Sequence, residues 1–228
     1  MLFVFIFFFI QTSWGFLLTE SLNLTVPNAQ PTQPDTYVCT GIELDKSETY
    51  YLVAFDPMAD MKTAHHMLLY GCKTPGRTAP LYNCGAMTAR QEDLDASLSP
   101  CGSGSQIVYA WASNAPELDL PENVGFKVGK DSDVDWLVLQ VHYASTDYIP
   151  PEGDTSGVSV KYTKTPMTKH AGVYFTQTNG RMPAQTETMA EAACEITTTK
   201  ELHPFAFRVH THKLGTVVCT ITSYTILF

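Results

Sequence analysis

The stretch "RVHTHKLG" places His210 and His212 two residues apart, with Arg208 two residues before the first histidine. On a β-strand, side chains alternate between faces, so these three residues share one face. Two imidazoles on one face can bind one metal ion, or they can sit as two solvent-facing histidines. In "TAHHMLLYGC", His65 and His66 are adjacent. Inside a regular strand they point to opposite faces, so one ion reaches both only at a strand end or bulge, through different ring nitrogens. In "LQVHYA", His142 follows the alternating run Leu137, Leu139, Val141 and shares the face of Val138 and Gln140. Alone it reads as a core histidine with one hydrogen-bond partner. Together, three histidine stations on strands suit copper or zinc, for which imidazole is a good ligand. His170 reads as a surface residue, and His203 as a locally hydrogen-bonded one, with a place behind a metal ligand as the alternative.

The elements that must carry these residues are short strands. "TYYLVAF" (49–55), "HHMLLYGC" (65–72), "QIVYAWA" (106–112), "WLVLQVHYA" (136–144), "GVSVKYT" (157–163), "AGVYFT" (171–176) and "FAFRVHTH" (205–212) are rich in β-branched and aromatic residues. Pro and Gly punctuate them. The pattern predicts an all-β sandwich or jelly roll, with no long amphipathic helix and no internal repeat. Residues 16–34 are polar and read as a loose arm. "MTARQEDLDASLSP" (87–100) reads as one or two helical turns or a charged loop, and "KTPMTK" (164–169) as a boundary between two β-units.

The chain has 228 residues, enough for one large or two small domains. Its net charge of -9 carries no electrostatic footprint for nucleic acid or an anionic membrane. "MLFVFIFFFIQTSWG" (1–15) has an apolar run too short to span a bilayer and reads as a secretory signal peptide, with a signal anchor as the alternative. No later stretch is long and apolar enough to span. A lumenal or secreted chain is therefore expected. Asn23-Leu24-Thr25 is a glycosylation acceptor in keeping with this. So are six dispersed cysteines, which read as disulfides with fifteen possible pairings.

"HHMLLYGC", "NAPELDLPENVGFKVG", "LQVHY", "SGVSV" and "FAFRVHTHKLG" resemble, in order and spacing, the ascorbate-dependent type II copper monooxygenases, and among them the peptidylglycine α-hydroxylating kind. The match covers about residues 35–218. Five ordered motifs make it specific. The resemblance implies two jelly-roll β-sandwich domains, 35–165 and 166–228, each holding one copper. His65, His66 and His142 would hold the first ion. His210 and His212 would hold the second, with a methionine as third ligand. Arg208 matches the arginine that grips the peptide's terminal carboxylate, and Gln140 a glutamine near the first copper at the substrate. Cys39 with Cys84, and Cys72 with Cys101, match two family disulfides. Cys194 lacks its family partner and either pairs with Cys219 or leaves a free thiol.

The implied activity is hydroxylation of the α-carbon of a C-terminal glycine in peptides, with ascorbate as reductant and O₂ as oxidant. It is the first step of peptide α-amidation. Glycine-extended peptides would be the partners, and a separate or fused lyase would complete the amidation. The implied compartment is the secretory granule lumen or the extracellular space. The second domain is expected to be incomplete, because "CTITSYTILF" departs from the family pattern and the ligand methionine has no counterpart. The alternatives are a catalytically dead secreted copper-binding fragment, or a relative of the catecholamine-type dopamine or tyramine β-hydroxylases.

Overall fold

A computed structural model of the chain describes residues 17–85, 99–176 and 183–208, together with 215 and 217. They divide into two units, between Tyr174 and Phe175. The first unit holds thirteen strands and no helix among the described residues. In chain order these are β1 (Glu20–Thr25), β2 (Thr36–Glu43), β3 (Thr49–Met58), β4 (His66–Cys72), β5 (Thr74–Pro75), β6 (Tyr82–Asn83) and β7 (Cys101–Ser103). They continue with β8 (Gln106–Ala112), β9 (Leu118–Asp119), β10 (Val124–Gly129), β11 (Trp136–Tyr143), β12 (Gly157–Thr163) and β13 (Lys169–His170).

Two sheets face each other. One runs β1-β12-β3-β10-β13, with β9 also on β3; the other runs β6-β2-β11-β4-β8. The core lies between them because both sheets turn one apolar face inward. Leu52, Phe55, Phe126, Val158 and Val160 come from the first sheet. Met67, Leu69, Trp111, Leu137, Leu139, Val141 and Tyr143 come from the second. Phe55 stacks on Tyr109 across the sandwich, with ring centroids 4.7 Å apart. Each such buried side chain contributes about 1.5–3 kcal/mol of transfer free energy. Every second residue of β11 enters this core. The others, Val138, Gln140 and His142, must face outward.

The outward face of the second sheet is also covered. A smaller core there joins Leu68, Tyr70, Tyr82 and Val138 with Cys39, Cys72, Cys84 and Cys101. The disulfides are Cys39–Cys84 and Cys72–Cys101, as the resemblance implies. Cys194 is exposed with a free thiol, while Cys219 lies outside the described residues.

The structure departs from the sequence expectation in two places. Glu20–Thr25, expected in a loose arm, is the edge strand β1 on β12. Leu22, Leu24 and Val26 alternate, and Leu24 and Val26 are buried; between them Asn23 is exposed and Thr25 half-buried. Residues 171–176, expected as a strand, pair with no strand among the described residues, apart from one hydrogen bond of the Ala171 amide to the Gly125 carbonyl. Val173, Tyr174 and Phe175 are exposed. Aromatic and β-branched content makes a strand only where a partner edge is available. In the second unit, 205–208 likewise lie outside any strand. The signal segment 1–15, the stretch 87–98 and both histidines of "HTH" lie outside the described residues.

A buried polar knot is joined to the core of the first unit through Tyr143. The Tyr143 hydroxyl donates to Asp154 Oδ2 at 2.7 Å, and the Ser156 hydroxyl to Asp154 Oδ1 at 2.9 Å. Burial, then the hydrogen bond to Asp154, pushes the Tyr143 hydroxyl well above the ordinary tyrosine range. Ala29 and Asp154 also exchange backbone hydrogen bonds, both 2.8 Å. Asp154→Ala leaves a fully buried hydroxyl with no acceptor, so it should destabilise the unit by about 2–3 kcal/mol. Urea unfolding checks this; a midpoint shift equivalent to less than about 0.5 kcal/mol would show that the knot is dispensable.

Candidate metal centre

The centre is built from one cross-strand row. His142 on β11 lies directly opposite His66 on β4 and Tyr37 on β2. All three face away from the sandwich core, since the side-chain period places them with Gln140 and Val138 rather than with Val141. His65 immediately precedes β4, and its amide donates to the His142 carbonyl at 2.9 Å. The strand thus begins between the adjacent histidines, which frees His65 from the alternation rule. The expectation of different ring nitrogens is corrected here. Both adjacent histidines present Nδ1, because His65 has left the strand geometry.

The three Nδ1 atoms form a triangle with every side 3.3 Å. Its centre lies about 1.9 Å from each corner, close to the imidazole–metal bond of about 2.0–2.1 Å. Three neutral imidazoles so placed cannot all hydrogen-bond to one another, since each N–H needs a lone pair opposite it. A cation at the centre satisfies all three. Among the described residues, this is the group of His, Cys, Asp or Glu side chains whose ligand atoms converge on one point. The donor set therefore fits an imidazole-preferring ion such as copper.

Neighbours hold the ligands. The Tyr37 ring stacks on His142, with centroids 4.1 Å apart and planes within 10°. Burial, and next the charge of Asp35, raises the Tyr37 hydroxyl above its ordinary value, so it remains a neutral phenol. Asp35 Oδ1 stands 3.2 Å from His142 Nε2. Neither Asp35 nor Tyr37 was legible as a site residue. Their position depends on β2 pairing with β11, and only the alternation of Tyr37 with Cys39 hinted at a shared face.

Gln140, expected at the substrate, is fully buried one row below His142. It lies opposite Cys39 and Leu68. Its amide donates to the Gly85 carbonyl at 3.0 Å and to Cys84 Sγ at 3.5 Å. It offers no surface, because the disulfide core covers its row. Arg208 is exposed in the second unit. His210 and His212 lie outside the described residues, so the second histidine pair is not part of this geometry. Asn23 is exposed on β1, and His170 on β13. His203 Nε2 is 3.4 Å from Glu201 Oε1, a local contact as expected. No helix among the described residues is long and apolar enough to cross a membrane.

An all-β sandwich with three converging imidazoles on one sheet defines a protein with a candidate copper or zinc site. The family comparison agrees. Residues 22–150 match the copper type II ascorbate-dependent monooxygenase N-terminal domain, and residues 169–224 match the C-terminal domain. The chain belongs to the copper type II ascorbate-dependent monooxygenase family.

It is 39% identical over 201 residues to peptidyl-glycine alpha-amidating monooxygenase A of Xenopus laevis, covering 87% of this chain and 20% of that protein. It is 36% identical over 201 residues to peptidylglycine alpha-amidating monooxygenase of Rattus norvegicus, covering 87% and 19%. Dopamine beta-hydroxylase of Equus caballus is 27% identical over 206 residues, covering 84% and 33%. The chain thus spans about a fifth of the length of the amidating relatives it matches.

Proposed function

We propose that the chain forms the copper-binding part of a peptidylglycine α-hydroxylating monooxygenase, which hydroxylates the α-carbon of a C-terminal glycine. The observation that carries this is the Nδ1 triangle of His65, His66 and His142. The likeness to the amidating enzymes supports it. Bound copper would supply one-electron transfer and O₂ activation, with ascorbate as the reductant.

The chain's own residues supply position. His65, His66 and His142 hold one ion, and the Tyr37 ring keeps His142 in plane. His210 and His212 hold a second ion in this reading. Arg208 grips the peptide's terminal carboxylate through two parallel charge-assisted hydrogen bonds, which a lysine could not form. That grip fixes the terminal residue, so its Cα is presented in one place. Disulfides support a secretory setting, in the granule lumen or outside the cell, because cytosolic thiols are kept reduced. A lyase on this or another chain would complete the amidation.

The test is turnover of a glycine-extended peptide with copper, ascorbate and O₂, read by mass as the α-hydroxyglycine product. Product supports the proposal. Copper uptake without turnover assigns the chain to copper binding alone. Hydroxylation of a phenethylamine lacking a carboxylate assigns it to the catecholamine type. Arg208→Ala should weaken peptide binding roughly 10²- to 10⁴-fold, the value of two charge-assisted hydrogen bonds at about 1.5–3 kcal/mol each. Calorimetry checks this; an unchanged peptide affinity would remove Arg208 from the site.

A further inference from the structure

His142 has two ring nitrogens, and the triangle uses only Nδ1. The other, Nε2, stands 3.2 Å from Asp35 Oδ1. The ring is buried, whereas the Asp35 side chain is 81% exposed. An exposed aspartate could turn to solvent, yet the local chain holds it against the imidazole. Asp35 ends the turn Gln33-Pro34-Asp35 just before β2, with φ of 54°. The Thr36 hydroxyl closes this turn on the Gln33 carbonyl at 2.7 Å. A turn with proline followed by a positive-φ residue favours glycine or asparagine at the second place. An aspartate there accepts a left-handed backbone and brings a carboxylate instead.

We propose that Asp35 is a positioning residue for the metal centre, which accepts the Nε2–H of His142 and so keeps its Nδ1 free for the ion. The inference rests on the copper reading of the histidine triangle.

The chemistry is one of tautomers. A neutral imidazole carries one N–H and one lone pair. With the proton on Nδ1, His142 would point a hydrogen at the other two ligand atoms, 3.3 Å away, and could bind no metal. A carboxylate only accepts, so Asp35 admits the tautomer with the proton on Nε2. Tyr37 fixes the ring plane, and Asp35 fixes which nitrogen faces inward. The control acts on the buried ligand of the three.

The experiment begins without metal. The full chain, labelled with ¹⁵N at histidine, is studied by long-range proton–nitrogen correlation at a pH where imidazoles are neutral. His142 should show a single Nε2–H tautomer, and Asp35→Ala should show a mixture. Copper is then titrated by chelator competition in a His210→Ala/His212→Ala background, so that only the first site reports. Asp35→Ala should lower affinity about 10- to 100-fold, and Asp35→Asn less, because its amide oxygen still accepts.

Asp35 is exposed but holds a left-handed backbone, so Asp35→Ala should fold with a slightly lowered unfolding midpoint, and Asp35→Asn should keep the wild-type midpoint. An unchanged tautomer, or an unchanged copper affinity in a folded Asp35→Ala chain, overturns the role of Asp35. Failure of the unsubstituted chain to bind copper overturns the copper reading itself. The metal-free spectrum separates the two failures.

Discussion

His142→Ala should lower copper affinity at the first site by roughly 10²- to 10³-fold. The figure follows from dividing the binding free energy of a small structural metal site, about 10–16 kcal/mol, among its ligands. His142 should be the most sensitive of the three. It is buried on β11, stacked on Tyr37 and bonded to Asp35, so its nitrogen is already aimed before the ion arrives. His65 is exposed and has left the strand, so more of its placement must come from the ion. His65→Ala should therefore cost less than His142→Ala.

A control removes only the nitrogen. His142→Phe keeps a ring of similar size on Tyr37, so the sheet stays packed while the donor is lost. It should bind copper as poorly as His142→Ala. Chelator competition gives the affinities, and the nitrogen hyperfine pattern of cupric spectra gives the ligand count. Affinity retained within a few-fold in either variant would place the ion elsewhere.

Much of the first unit can be read from residue types. The runs at 106–112 and 157–163 are strands at those bounds, because β-branched and aromatic residues there find partners, β4 for the first and both β1 and β3 for the second. The same composition misleads at 171–176, where no described strand pairs with the run, and polar composition hides β1. Composition reports what a residue prefers, whereas pairing depends on chain that lies far away in sequence. The site shows the same division.

Three histidine stations are visible as residues, and the strand-end solution for His65 and His66 follows from period-two geometry. Their convergence is not visible, because it depends on the register that sets His142 opposite both His66 and Tyr37. A shift of one residue would send His142 into the sandwich core. Gln140 shows the limit of carrying over a role. Its outward face follows from period-two alternation, but a disulfide core on the outward side of the sheet, which turns exposure into burial, has no signature in β11 itself.

The two disulfides should separate stability from metal binding. Removing Cys39–Cys84 by paired substitution to alanine should cost about 4 kcal/mol in the chain-entropy treatment, given its separation of 45 residues. Removing Cys72–Cys101, with a separation of 29, should cost about 3.5 kcal/mol. Against a typical stability of about 5–15 kcal/mol, either variant is weakened while a folded population persists at 25 °C.

Their effects on the metal should differ. Cys39 lies opposite Gln140, and Cys84 accepts a hydrogen bond from its amide, one row below His142. Losing this bridge loosens the floor of the histidine row. Cys72 is the last residue of β4 and His66 the first, which puts that bridge about 20 Å along the strand from the centre. Copper affinity of the folded chain should therefore fall for the Cys39/Cys84 variant and hold for the Cys72/Cys101 variant, although both unfold at lower denaturant. Equal loss of affinity in the two would mean that the site responds to global stability and not to the row beneath it.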